Sequence, residues 1–138
     1  MTERMYHLDD QPIPPGLQIF EERLEVSGVR FRREDATALA EATGAWLELE
    51  ADENNQYDKY AIKVIGCLPG MSTSDRRFIG YVPKEVSAAI ANSGFSGQVR
   101  ARLLMTYVGD SGFVEILFQL LGPKGQKWKY QRFSATSR

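Results

Sequence analysis

The sequence predicts a mainly β domain: a small, strongly curved β-barrel carrying two short helices. Three observations predict it. Apolar and polar residues alternate in several segments of similar length, among them Trp46–Ala51 and 99–107, which is the period of a strand with one buried face. Only two stretches, 34–43 and 83–93, carry apolar residues at helical spacing, too few crossover helices for a doubly wound parallel sheet. Closing a small sheet on itself also removes exposed edge strands, so a barrel is the economical arrangement.

Taken in order, residues 1–22 contain Pro12, Pro14, Pro15 and Gly16 and are expected to form a Pro-rich extension, loosely packed or disordered. From 24 to 31 the pattern becomes β-like through Leu24, Val26 and Val29, broken at Gly28. Ala36, Leu39, Ala40 and Thr43 then recur at helical spacing, with acids at the start and Gly44 placed to end the helix. In Trp46–Ala51, Leu47 and Leu49 share one face while Glu48 and Glu50 take the other. Residues 61–65 and 78–82 read as further strands, with 66–77 as a long loop between them. Pro83 opens a second helix, Glu85 lies in its first turn, Val86, Ala89 and Ile90 form its apolar face, and Gly94 follows it. Alternation over 99–107 and again over 113–121, around Gly109-Asp110-Ser111-Gly112, is a hairpin.

The last segment, 123–138, holds Lys124, Lys127, Lys129, Arg132 and Arg138 without an acid, interleaved with Trp128, Tyr130 and Phe133. It reads either as a final strand whose rings pack on the barrel or as a basic aromatic tail. In the second reading Lys124, Lys127, Lys129 and Arg132 contact phosphates while the rings stack on bases. The division expected is thus an extension at 1–22, a barrel domain at 23–122 and this tail.

Charge is segregated. The chain has a net charge of −1, but residues 1–60 carry 6 Lys and Arg against 14 Asp and Glu, and residues 61–138 carry 11 against 4. A basic second half can attract a polyanion that the overall balance conceals. Cys67 is the only cysteine, which excludes an intrachain disulfide and suits a reducing compartment. Without a signal-like apolar start or a run of roughly 18 apolar residues, the chain is expected to be cytoplasmic, with no membrane partner. His7 is the sole histidine, so neither a Ser-His-Asp nor a Cys-His machinery nor a zinc site is expected. Glu48, Glu50, Asp52, Glu53 and Asp58 offer oxygens to a hard cation, yet Glu48 and Glu50 fall on a solvent face. The chain reads as a non-enzyme without cofactor or metal.

The run Asn54-Asn55-Gln56-Tyr57-Asp58 is a turn cluster that presents a ring and a carboxylate just before a β-rich segment. One reading makes Asp58 a turn cap and buries Tyr57 and Phe31. In the other, these residues form a pocket in which a carboxylate accepts a hydrogen bond from a free hydroxyl and repels a phosphate.

Gly28-Val29-Arg30-Phe31, then Asn54-Asn55-x-Tyr57-Asp58-Lys59-x-Ala61-Ile62-Lys63-Val64, then Phe78-Ile79-Gly80-Tyr81-Val82-Pro83 resemble the HIRAN family, over about 24–121. Members occur as N-terminal modules of SNF-type fork-remodelling ATPases and as stand-alone bacterial or phage proteins. The resemblance implies a small OB-like β-barrel that captures the 3′-hydroxyl end of single-stranded DNA. It implies phosphate contact by Arg30, base stacking by Phe31 and Tyr57, and recognition of the 3′-hydroxyl by Asp58, with Asn55 in the pocket and Phe113 lining it. Arg32 stands where end-capturing members carry a second aromatic, Gln56 replaces a proline, Tyr60 an asparagine and Tyr81 a histidine. Arg32 could add a phosphate contact and Tyr60 a stacking surface. The expected function is a DNA-binding module for single strands or 3′ ends, working with repair or replication proteins. The alternatives are a protein-interaction domain on the same barrel and a carboxylate-metal nuclease.

Overall fold

The computed structural model describes residues 3–70 and 75–134. The chain runs β1 (Met5–Tyr6), β2 (Leu17–Glu25), α1 (Arg33–Glu41), β3 (Trp46–Ala51), β4 (Ile62–Leu68), β5 (Asp75–Tyr81), α2 (Lys84–Asn92), β6 (Arg100–Val108), β7 (Val114–Pro123) and α3 (Lys127–Gln131). The strands form two antiparallel sheets, one in the order β1-β6-β7-β2 and the other β3-β4-β5.

Two seams join the sheets into an OB-like, mainly β architecture. At one, Ser27 and Tyr81 exchange both backbone hydrogen bonds, at 2.8 and 2.9 Å. Gly80 makes that approach possible, since a Cβ there would collide with the Ser27 carbonyl oxygen. At the other, β3 packs beside β6 but no ladder joins them among the described residues, so the barrel is half-open. Leu39 of α1, Ile90 of α2, Val64, Ile79, Leu103, Ile116 and Phe118 fill the interior with no side chain more than marginally exposed. α1 and α2 bury the apolar stripe their spacing dictates, Ala36, Leu39 and Ala40 in α1 and Val86, Ala89 and Ile90 in α2.

The chain departs from its sequence-based reading at five places. Residues 17–22 are not extension: β2 is one nine-residue strand paired with β7, so a boundary at 22/23 would cut through it. Register shifts between Ile19 and Glu21 and between Glu21 and Leu24 turn Phe20 and Glu21 both inward and erase the alternation that marks a strand. Further upstream, Met5–Tyr6 pairs with β6, and His7 is buried against Thr106. Residues 29–32 do not continue a strand but wind into a 3₁₀ turn. Gly66 to Leu68 and Asp75 to Arg77 belong to β4 and β5, which shortens the expected loop, and 71–74 of it lie outside the described residues. Finally, the tail forms a helix rather than a last strand, and Arg138 lies outside the described residues.

Candidate nucleic-acid interface

The first part of the site is the 3₁₀ turn Val29–Arg32. Gly28 takes a left-handed φ of 78°, and its carbonyl accepts the Phe31 N–H at 3.0 Å. The turn buries Val29 and projects Arg30, Phe31 and Arg32 outward. Phe31 is 76% exposed, so it is no core residue, and the Arg30 guanidinium lies 4.7 Å from its ring centre.

The second part is the 52–61 loop, built around two side chains that replace backbone partners. Asn55 Oδ1 accepts the N–H groups of Tyr57 and Asp58, both at 2.9 Å, while Asp58 Oδ1 accepts the Tyr60 N–H at 2.9 Å. These bonds hold Tyr57 out in water at 93% exposure. Asp58 is half-buried, and among the described residues its Oδ2 has no hydrogen-bond partner. The loop is tied to the sheet by Asp52, whose Oδ2 accepts from Tyr81 Oη at 2.8 Å and from Asn55 Nδ2 at 3.2 Å. The Tyr81 hydroxyl holds the Asp52 carboxyl below its usual range, helped by Asn55 and Lys63, and the same bond pushes the Tyr81 phenol up.

A chain of contacts links the two parts. Arg32 sits 3.7 Å above the Phe78 ring, Lys63 lies 5.3 Å from the same ring, and Phe78 meets Tyr81 edge-on at 5.2 Å. The path therefore runs from Arg32 through Phe78 and Tyr81 to Asp52 and Asn55.

Arg30, Phe31 and Phe113 share one open groove of about 830 Å³, lined also by Arg23, Arg33 and Lys84. Phe113 enters it half-exposed from the β6–β7 turn, tilted against Tyr107 at 6.2 Å. Tyr60 is placed elsewhere, on a separate hollow of about 220 Å³ with Leu49, Ile62 and Ser87. Lys124, Lys127, Lys129 and Arg132 line neither cavity and lie on or beside α3.

Several contributors escaped sequence reasoning. Asp52 was legible only as one acid in a run, and its partner Tyr81 lies far along the chain. Phe78 and Lys63 are ordinary strand positions until Arg32 is laid over them. Arg23, Arg33 and Lys84 are cations in mixed or acidic surroundings, with no local pattern to mark them. Of the acids considered as cation ligands, Glu48 pairs with Arg76, Glu50 lies 3.8 Å from it, and Asp52 accepts from Tyr81 and Asn55. Among the described residues, no three His, Cys, Asp or Glu side chains converge as a metal site.

The HIRAN domain family model matches residues 21–121, well over half of the chain. The chain belongs to the HIRAN domain family. An NMR structure of the HLTF HIRAN domain is similar to it at 19% identity, covering 91% of this chain and 93% of that one, with a TM-score of 0.50. The crystal structure of the HIRAN domain of human HLTF shares 21% identity over 88% of this chain and 92% of that one, with a TM-score of 0.47. An NMR structure of the HLTF HIRAN domain in its DNA-bound conformation shares 20% identity over 85% and 88%, with a TM-score of 0.48. No match was found among curated proteins. In this HIRAN domain the turn, the 52–61 loop and Phe113 all fall within the matched stretch, whereas α3 lies beyond it.

Proposed function

We propose that this HIRAN domain is a non-catalytic DNA-binding module that takes single-stranded DNA at a free 3′-hydroxyl end, in the service of DNA repair or replication. The observation that carries the reading is the exposure of Phe31, Tyr57 and Phe113 on hydrogen-bonded turns, with Arg30 over the Phe31 ring and Arg23 and Arg33 lining the groove that Phe113 enters, where a core would have buried such rings. Another member of the family, the HIRAN domain of HLTF, has a DNA-bound conformation.

Each side chain then has a chemical task. Phe31 and Phe113 offer faces to bases in the groove, and Arg30, with Arg23 and Arg33 nearby, offers charge to the phosphates between them. Tyr57 offers a further face next to Asp58. Asp58 uses Oδ1 to hold the loop and keeps Oδ2 for the terminal hydroxyl, which a carboxylate accepts and a phosphate at the same spot would contradict by charge. Arg32 is already laid over Phe78, so it acts by fixing the turn against the sheet.

Substitution separates end recognition from general attraction. Asp58→Ala should lower the preference for a 3′-hydroxyl strand over its 3′-phosphate counterpart by about tenfold, the scale of one hydrogen bond to a charged group. Arg30→Ala should weaken both strands alike. Equal weakening of both strands by Asp58→Ala would overturn the end-capture reading, and weak, salt-insensitive binding of every strand would point to a protein ligand on the same barrel.

A further inference from the structure

The groove and the loop leave one chemically distinctive cluster unused. Residues 122–138 contain no Asp or Glu, and within them Lys124, Lys127, Lys129 and Arg132 surround the short helix α3. This helix is anchored firmly. Tyr130 is fully buried, stacked on Phe20 at 5.1 Å, and its hydroxyl donates to Glu21 at 2.6 Å. With its underside pinned, α3 leaves Trp128 57% exposed and Phe133 49% exposed. Arg132, one turn along from Trp128, places its guanidinium 5.3 Å from that ring. Large rings kept in water beside cations on a fixed element serve contact rather than packing.

We propose that α3 is a second nucleic-acid contact, an end-independent platform where a base of a single strand stacks on Trp128 while Lys124, Lys129 and Arg132 meet the flanking phosphates. The uninterrupted positive charge selects a polyanion, and flat aromatic faces match bases better than the carboxylates of an acidic peptide. One exposed ring on a five-residue helix, with Phe133 just beyond its end, presents too narrow an apolar face to lie in a bilayer surface. The proposal goes beyond 3′-end capture, because stacking on α3 requires no strand end, and α3 lies outside the stretch matched by the family.

A covalently closed, circular single-stranded oligonucleotide tests it, since it has no 3′ end to capture. The whole chain should bind the circle with an affinity that falls steeply as salt rises. Trp128→Ala should weaken that binding about tenfold, as expected for the loss of one stacked base. Arg132→Gln should reduce the slope of log affinity against log salt by about 0.7, one phosphate contact on a single strand. Both positions are exposed, and unchanged thermal unfolding of the variants reports an intact fold. On short linear strands both variants should keep the wild-type ratio between 3′-hydroxyl and 3′-phosphate ends. Failure of the wild-type chain to bind the circle, or equal binding by wild type and both variants, would overturn the proposal. So would binding of phosphatidylserine vesicles or polyglutamate in place of the circle. None of these results bears on Asp58, whose role is read only from strands with ends.

Discussion

Asp52 and Tyr81 show how much of the site depends on single hydrogen bonds. The Tyr81 hydroxyl is the largest cause of the lowered Asp52 pKa, so Tyr81→Phe should let that pKa rise toward the usual carboxylate value, as followed by carboxyl NMR titration. An unmoved titration would mean that the bond does not form in solution. The sign of the pH effect follows: a carboxyl whose folded pKa is depressed contributes stability above its unfolded pKa and loses it as pH falls through the folded value. Amide-exchange protection at Asn55, Tyr57 and Asp58, taken relative to the intrinsic rate at each pH, should therefore fall in acid, and at a higher pH in Tyr81→Phe than in wild type. At this scale the sequence was informative about identity and poor at partnership. Tyr57 and Asp58 stand out as a turn cluster because Asn, Asp and a ring fall together. Which acid holds the loop depends on a residue from another strand, which no local pattern contains.

At the level of elements, α3 is bound to β2 through a buried carboxylate. Glu21 accepts from Tyr130 Oη at 2.6 Å and from Ser134 Oγ at 3.1 Å, and burial together with Glu21 pushes the Tyr130 phenol up. Tyr130→Phe keeps the stacked ring and removes one donor from that carboxylate, so it should cost about 1–3 kcal/mol in urea unfolding. An unchanged midpoint would show that the hydrogen bond adds nothing to the anchoring. The same elements mark where pattern reading fails. β3 lies where its alternation predicts, and α1 and α2 lie within a residue or two of their expected limits, because each has one dry face and end signals. β2 is obscured by its bulges, and α3 is too short to display a period of 3.6, so both escape a reading that depends on repetition.

For the whole molecule, the N-terminal segment is part of the domain. His7 Nε2 lies 2.8 Å from Thr106 Oγ1, which in turn donates to the Ala40 carbonyl at 3.1 Å, so one buried link ties the first strand to β6 and α1. Burial lowers the His7 pKa from 6.5, against the opposing pull of Asp10. A histidine whose folded pKa is depressed contributes its full stability above the unfolded value, and that stability is lost as pH falls from there through the folded value. Urea midpoints should thus decline from neutral to mildly acid pH, and His7→Gln should flatten that decline; equal slopes would exclude the His7 link as its source. The segregated charge acts on the same scale, since the basic half carries β5, β6 and α3 and, under the proposed function, would give a strand its approach. What the strand meets on arrival is the central claim. The direct measurement is fluorescence anisotropy of one short single-stranded oligonucleotide, ending in a 3′-hydroxyl or a 3′-phosphate, titrated with the wild-type chain at two salt concentrations. Tighter binding of the hydroxyl end at both salts is the expected result, whereas equal affinity for the two ends would contradict end capture through Asp58.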